Sequence, residues 1–118
     1  MRNTLFQSIN CILASGQQAS WRINCEYLME EDWQALATLA VNILPKFGSV
    51  EGVPLGGLIF AQKLKEYITS GPLLIVDDVL TTGGSMEKLR NGREVIGIVA
   101  FARGPCPNWI KPLWILNQ

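Results

Sequence analysis

The stretch Leu73-Leu74-Ile75-Val76-Asp77-Asp78-Val79-Leu80-Thr81-Thr82-Gly83-Gly84-Ser85 decides how this chain is read. Four consecutive apolar residues run into two carboxylates, and a turn rich in hydroxyls and glycine follows. A strand with one wet face would alternate, so Leu73 to Val76 reads as a strand covered on both faces, as in a parallel α/β sheet. Successive strand side chains point to opposite faces, and an unpaired buried carboxylate is costly or shifts its pKa. The strand is therefore expected to end at about Asp77. Both acids then sit on the carboxyl-terminal rim, where ligands of open α/β sheets gather.

The turn Thr81-Thr82-Gly83-Gly84-Ser85 leads into Met86-Glu87-Lys88-Leu89-Arg90. Met86 and Leu89 lie three apart, the spacing of a short helix. Glycines let the backbone approach a ligand and tolerate positive φ. Free amides at a helix start favour an anion, and each charge-assisted hydrogen bond is worth roughly 1.5–3 kcal/mol. Three or four of them would hold a phosphate without a lysine, while the acids take ribose hydroxyls. A plain helix cap is the blander reading, but it needs one hydroxyl and no acid pair. No Gly-x-x-x-x-Gly-Lys-Ser/Thr occurs, and no Gly-x-Gly-x-x-Gly opens a helix. No Asp follows Asp78, which removes the acidic arrangement of response-regulator receivers.

Outward from this stretch, strands and helices alternate. Leu5, Ile9, Ile12 and Leu13 share helical spacing, ended by Ser15-Gly16. A second helix is marked by Met29, Trp33, Leu36, Ala37, Ala40, Ile43 and Leu44, with Glu30, Glu31 and Asp32 at its positive end and Pro45 as its stop. Val50 to Val53 reads as a short strand. Phe60, Leu64, Tyr67 and Ile68 form the next helical face, closed by Gly71-Pro72. Val95 to Phe101 reads as another buried strand and Trp114-Ile115-Leu116 as a final edge strand. The expected architecture is a small three-layer α/β domain with a mostly parallel sheet of about four strands, one domain over residues 1–118. A second glycine turn, Gly52-Val53-Pro54-Leu55-Gly56-Gly57, also joins strand to helix and would reach the same rim. Alone it reads equally well as a structural turn.

Composition narrows the chemistry. Formal charge is zero and no basic run exists, a poor basis for nucleic-acid binding. No apolar stretch approaches the ~20 residues of a membrane span, and Met1-Arg2-Asn3 lacks the apolar core of a signal peptide. Cys11, Cys25 and Cys106 have no metal-like spacing and fit a reduced, cytoplasmic setting. Histidine is absent, which removes Ser-His and Cys-His nucleophilic catalysis. What remains is carboxylates, hydroxyls, amides, cations, or a metal carried by the ligand.

At these residues the chain resembles the type I phosphoribosyltransferases, most closely the orotate phosphoribosyltransferase branch. Val76 to Ser85 is similar to that family's phosphoribosyl pyrophosphate motif, and Gly52 to Gly57 to its pyrophosphate loop. Leu13-Ala14-Ser15-Gly16-Gln17-Gln18-Ala19-Ser20 resembles the Ser-Gly segment of the orotate enzymes' hood, and Phe101-Ala102-Arg103 the strand end that carries a base-contacting arginine. The resemblance implies that Asp77 and Asp78 grip the ribose hydroxyls and serve catalysis. It implies that Thr81, Thr82, Gly83, Gly84 and Ser85 hold the 5′-phosphate and that Pro54, Leu55, Gly56 and Gly57 face the pyrophosphate. Arg103 becomes the candidate base contact, Mg²⁺ a cofactor borne by the ligand, and a homodimer the expected assembly. Between Tyr67 and Leu73 only Ile68-Thr69-Ser70-Gly71-Pro72 remains, so the resemblance is to a short form without the family's long flexible loop. Ala14 stands at the hood lysine position, which leaves Arg22, Arg103, Lys63 or a second subunit as sources of a cation.

Two functions fit the motif equally. One is Mg²⁺-dependent transfer of a phosphoribosyl group to a pyrimidine-like base. The other is a non-catalytic module that senses phosphoribosyl pyrophosphate or a nucleotide. A scaffold that kept the fold and lost the ligand fits the intact acid pair less well.

Overall fold

A computed structural model describes residues 6–12, 18–23, 25 and 28–116. An amino-terminal antiparallel hairpin, β1 (Phe6–Ile12) and β2 (Gln18–Ile23), forms its own two-stranded sheet. Helix α1 (Glu30–Ile43) follows, then β3 (Ser49–Gly52), α2 (Leu58–Leu64) with a 3₁₀ turn at Lys65–Tyr67, and β4 (Leu73–Leu80). Helix α3 (Gly84–Arg90), β5 (Ile96–Ala102) and β6 (Ile110–Ile115) complete the domain. The second sheet runs β3-β4-β5-β6, parallel throughout.

The apolar runs pack on both faces, as their lack of alternation requires. Leu74, Val76, Ile98 and Ala100 pack with Trp33, Leu36, Ala37 and Ala40 of α1 and Phe60, Ala61 and Leu64 of α2. Ile75, Val99 and Ala102 join Met86 of α3 on the opposite side. Each buried aliphatic or aromatic side chain contributes about 1.5–3 kcal/mol relative to exposure. The Trp33 and Phe60 rings, 5.3 Å apart, lock α1 against α2. Helix α1 begins where the acidic residues predict: the Met29 amide donates to Asp32 Oδ2 at 2.7 Å. Leu44 closes it with a bond to the Ala40 carbonyl, and Pro45 cannot continue it.

Three expectations are corrected. Leu5 to Leu13 is not helical where it is described; residues 6–12 are a strand. Its register slips between Ser8, opposite Trp21, and Cys11, opposite Ala19. The extra residue restores one side of a strand at a three-residue spacing, which imitates a helix. Strand β4 does not end at Asp77 but runs to Leu80, with Asp77 opposite Val99 and Leu80 opposite Ala102. The last strand begins at Ile110 rather than Trp114, and it tolerates Pro112 because β6 is an edge. The Ile68–Pro72 connection leads straight from the 3₁₀ turn into β4, which pairs directly with β3. No helix among the described residues is long and apolar enough to cross a membrane.

Candidate functional site

The rim at the carboxyl ends of β3, β4 and β5 collects the residues singled out from the sequence. Asp77 is 8% exposed, inside the sheet rather than beyond it. The Asp78 amide donates to Asp77 Oδ1 at 2.8 Å, and the Val79 amide donates to Asp78 Oδ1 at 2.7 Å. Each acid therefore takes the next residue's amide. Burial pushes the Asp77 carboxyl up to about 8; a hydrogen bond that the protonated carboxyl donates to the Asp78 side chain, and the Asp78 charge, add to this, and the Asp78 amide opposes it. A carboxyl so raised favours its neutral form, which a strand covered on both faces can accommodate. Among the described residues neither acid joins an ion pair.

Beyond Leu80 the chain lines a cavity of about 270 Å³ together with Asp77, the Thr81–Ser85 turn and Lys88. Gly83 takes φ 85°, a conformation side chains rarely adopt, and begins α3. Among the described residues no backbone acceptor takes the amides of Thr81, Thr82, Gly83 or Ser85. That of Gly84 reaches only the Thr82 hydroxyl, at 3.4 Å. These donors are thus available to a ligand.

The second glycine turn meets the first. The Val53 amide donates to the Val76 carbonyl at 2.8 Å, fixing the turn to the strand that carries the acids. The Pro54–Leu55 peptide bond is cis, and Leu55 projects at 84% exposure. A Cβ at Gly56 would collide with the Asp78 carboxylate, whereas one at Gly57 would press on the Val76 carbonyl and on Val53 backbone atoms 2.9 Å away. The two substitutions should part. Gly56→Ala leaves melting within about 1 kcal/mol, because a side-chain end can yield, but it displaces Asp78. Gly57→Ala meets backbone that cannot yield and costs several kcal/mol. Urea denaturation of both variants checks this.

Two neighbours were missed from the sequence. Cys25 lies between the hairpin and α1, and its thiol faces the acid pair. Burial, then the charges of Asp78 and Asp77 and a hydrogen bond with Asp78, push it up to about 12. It is a neutral thiol, not a nucleophile. Lys88 lines the cavity, although the sequence reading supplied no lysine there. Helical side chains lean toward the amino terminus, and Lys88 lies one turn beyond Gly84, which is the signal that places it.

Arg103 follows β5, its amide bonded to the Leu80 carbonyl at 3.0 Å. At 9% exposure it is drawn into the protein beside the rim. Lys63 is half-buried on α2 and does not line the cavity. In the hood segment, 18–20 belong to β2, while 13–17 lie outside the described residues, as does the Arg22 side chain.

No family model matches this chain. It is similar to the orotate phosphoribosyltransferase of Sorangium cellulosum, 28% identical over 143 residues that cover 86% of this chain and 74% of that protein. Since 86% of a 118-residue chain is far shorter than the alignment, roughly forty aligned positions are gaps on this side. The crystal structure of orotate phosphoribosyltransferase from Aeropyrum pernix superposes with a TM-score of 0.76 at 22% identity, over 95% of this chain and 88% of that one. The Leishmania donovani UMP synthase superposes with a TM-score of 0.68 at 20% identity, over 84% of this chain and 29% of that longer one. The fold is that of the phosphoribosyltransferase-like α/β domains.

Proposed function

We propose that this protein binds phosphoribosyl pyrophosphate at the rim and transfers the phosphoribosyl group to a pyrimidine-like base. What carries the reading is the meeting of two amide-bearing turns on one acid pair, Gly56 lying against Asp78. Asp77 and Asp78 hold the ribose hydroxyls, Thr81 to Ser85 the 5′-phosphate, and Pro54 to Gly57 the pyrophosphate. Arg103 contacts the base. In the reaction the bond from the anomeric carbon to the pyrophosphate oxygen breaks. A base nitrogen forms the new bond and gives up its proton, and pyrophosphate leaves with the bonding pair. The oxocarbenium-like transition state carries positive charge on the pentose, beside which the acids lie.

Mg²⁺ fits as an ion carried by the ligand. It prefers six oxygens in near-octahedral order, and two adjacent carboxyls supply too few for a protein-held site. Bound to pyrophosphate it would neutralise charge on the leaving group. A cytoplasmic homodimer, in which a second copy adds a cation, completes the proposal.

One observation favours the sensor reading: only five residues join the 3₁₀ turn to β4, too few at that connection for a loop that closes over the reacting centre. Ligand binding survives without closure, whereas fast transfer usually needs a dry site. Calorimetry with phosphoribosyl pyrophosphate and Mg²⁺, followed by a base screen for pyrophosphate release that includes orotate, decides. Binding with release establishes the transferase. Binding with silence across all bases leaves the sensor, and absence of binding defeats both.

A further inference from the structure

We propose that Lys88 is the cation that matches the second negative charge of the sugar phosphate, making this cavity selective for phosphomonoester dianions. The inference rests on the proposed phosphoribosyl site and adds a residue to it. The turn itself offers only neutral donors: the amides after Leu80 and the hydroxyls of Thr81, Thr82 and Ser85. Such donors hold a phosphate oxygen but distinguish poorly between one charge and two. Of the residues lining the cavity, only Asp77 and Lys88 have side chains that can carry charge. Asp77 sits at the β4 end, buried and hydrogen-bonded to the next amide. Lys88 is on α3, exposed, and lines the same cavity as the turn, one helical turn beyond Gly84. Among the described residues it makes no ion pair, while its neighbour Glu87 is engaged by Arg90 at 2.9 Å and by Trp109 at 3.2 Å. The ammonium is therefore not neutralised by the acid next to it. A flexible point charge is the form of cation that suits a phosphate already positioned by amides.

The second ionisation of a phosphomonoester lies near pH 6, below the value of about 8 to which Asp77 is raised. Between pH 5 and 7 the ligand changes charge while the Asp77 carboxyl stays below its midpoint. Ribose 5-phosphate titrated calorimetrically against wild type, Lys88→Met and Lys88→Arg over that range tests the assignment. Wild-type affinity should rise with pH. Lys88→Met should lose about tenfold at pH 7 and flatten the rise, and Lys88→Arg should stay within about threefold of wild type. A Lys88→Met protein that keeps wild-type affinity and slope overturns the role of Lys88 and leaves the site standing. A wild type blind to ribose 5-phosphate and to phosphoribosyl pyrophosphate overturns the site and this role with it. Should Lys88→Met fold poorly, Lys88→Gln gives the same comparison.

Discussion

Replacing both acids, Asp77→Asn with Asp78→Asn, should weaken phosphoribosyl pyrophosphate binding by at least about a hundredfold and leave the domain folded. Measured above pH 8, where the Asp77 carboxyl is ionised, hydrogen bonds between a charged group and a hydroxyl contribute roughly 1.5–3 kcal/mol each, and the pentose would lose two of them. The fold should survive for a local reason. What Asp77 and Asp78 give the backbone is an acceptor for the amides of Asp78 and Val79, and an amide oxygen can accept in their place. No ion pair among the described residues is broken. Calorimetry with Mg²⁺ and the ligand, alongside a thermal melt, reads both quantities. Unchanged affinity in the double variant would remove the acids from the site, and with them the proposed function.

The parts of this fold that were legible in the sequence are those where one force dominates. Leu74 to Val76 and Ile98 to Val99 are apolar without alternation because helices cover both faces of the sheet, and hydrophobic burial alone dictates that pattern. Helix α1 announced itself through Trp33, Leu36, Ala37 and Ala40 on one face and acids at its start. The amino-terminal hairpin did not. Its bulge between Ser8 and Cys11 shifts the two-residue period by one, and nothing local distinguishes that shift from helical spacing.

The residues of the candidate rim were legible as a set but not as a geometry. The acid pair, the Thr81–Ser85 turn and the second glycine turn converge on one rim, where a Cβ at Gly56 would meet the Asp78 carboxylate. Cys25 could not be found by spacing, since it comes to the acids from a segment more than fifty residues earlier. Lys88 was hidden by its commonplace position on a charged helix. Ending β4 at Asp77 weighs the cost of a buried carboxylate above its other outcome, a shifted pKa, and the strand runs on to Leu80. Protonation supplies the alternative, and whether it operates depends on desolvation that only tertiary packing determines.

That protonation has a consequence for stability opposite in sign to the consequence for binding. An Asp held near 8 in the folded protein and near 3.8 unfolded binds a proton more tightly when folded. Its contribution is complete below pH 4 and is lost as pH rises through about 8, because the unfolded chain releases the proton and the folded one must then bury a charge. Asp77→Asn removes that loss. The variant should match wild type near pH 4 and exceed it by roughly 2–4 kcal/mol above pH 8, about 10 °C in melting temperature. Melts across pH 4 to 9 measure the difference, and a variant that tracks wild type throughout would mean that Asp77 is ionised in the folded state. A carboxyl kept for packing should destabilise the protein when replaced. One whose replacement stabilises the domain while abolishing its ligand is there for the ligand, so measuring both signs on the same variant separates the two explanations for a buried acid.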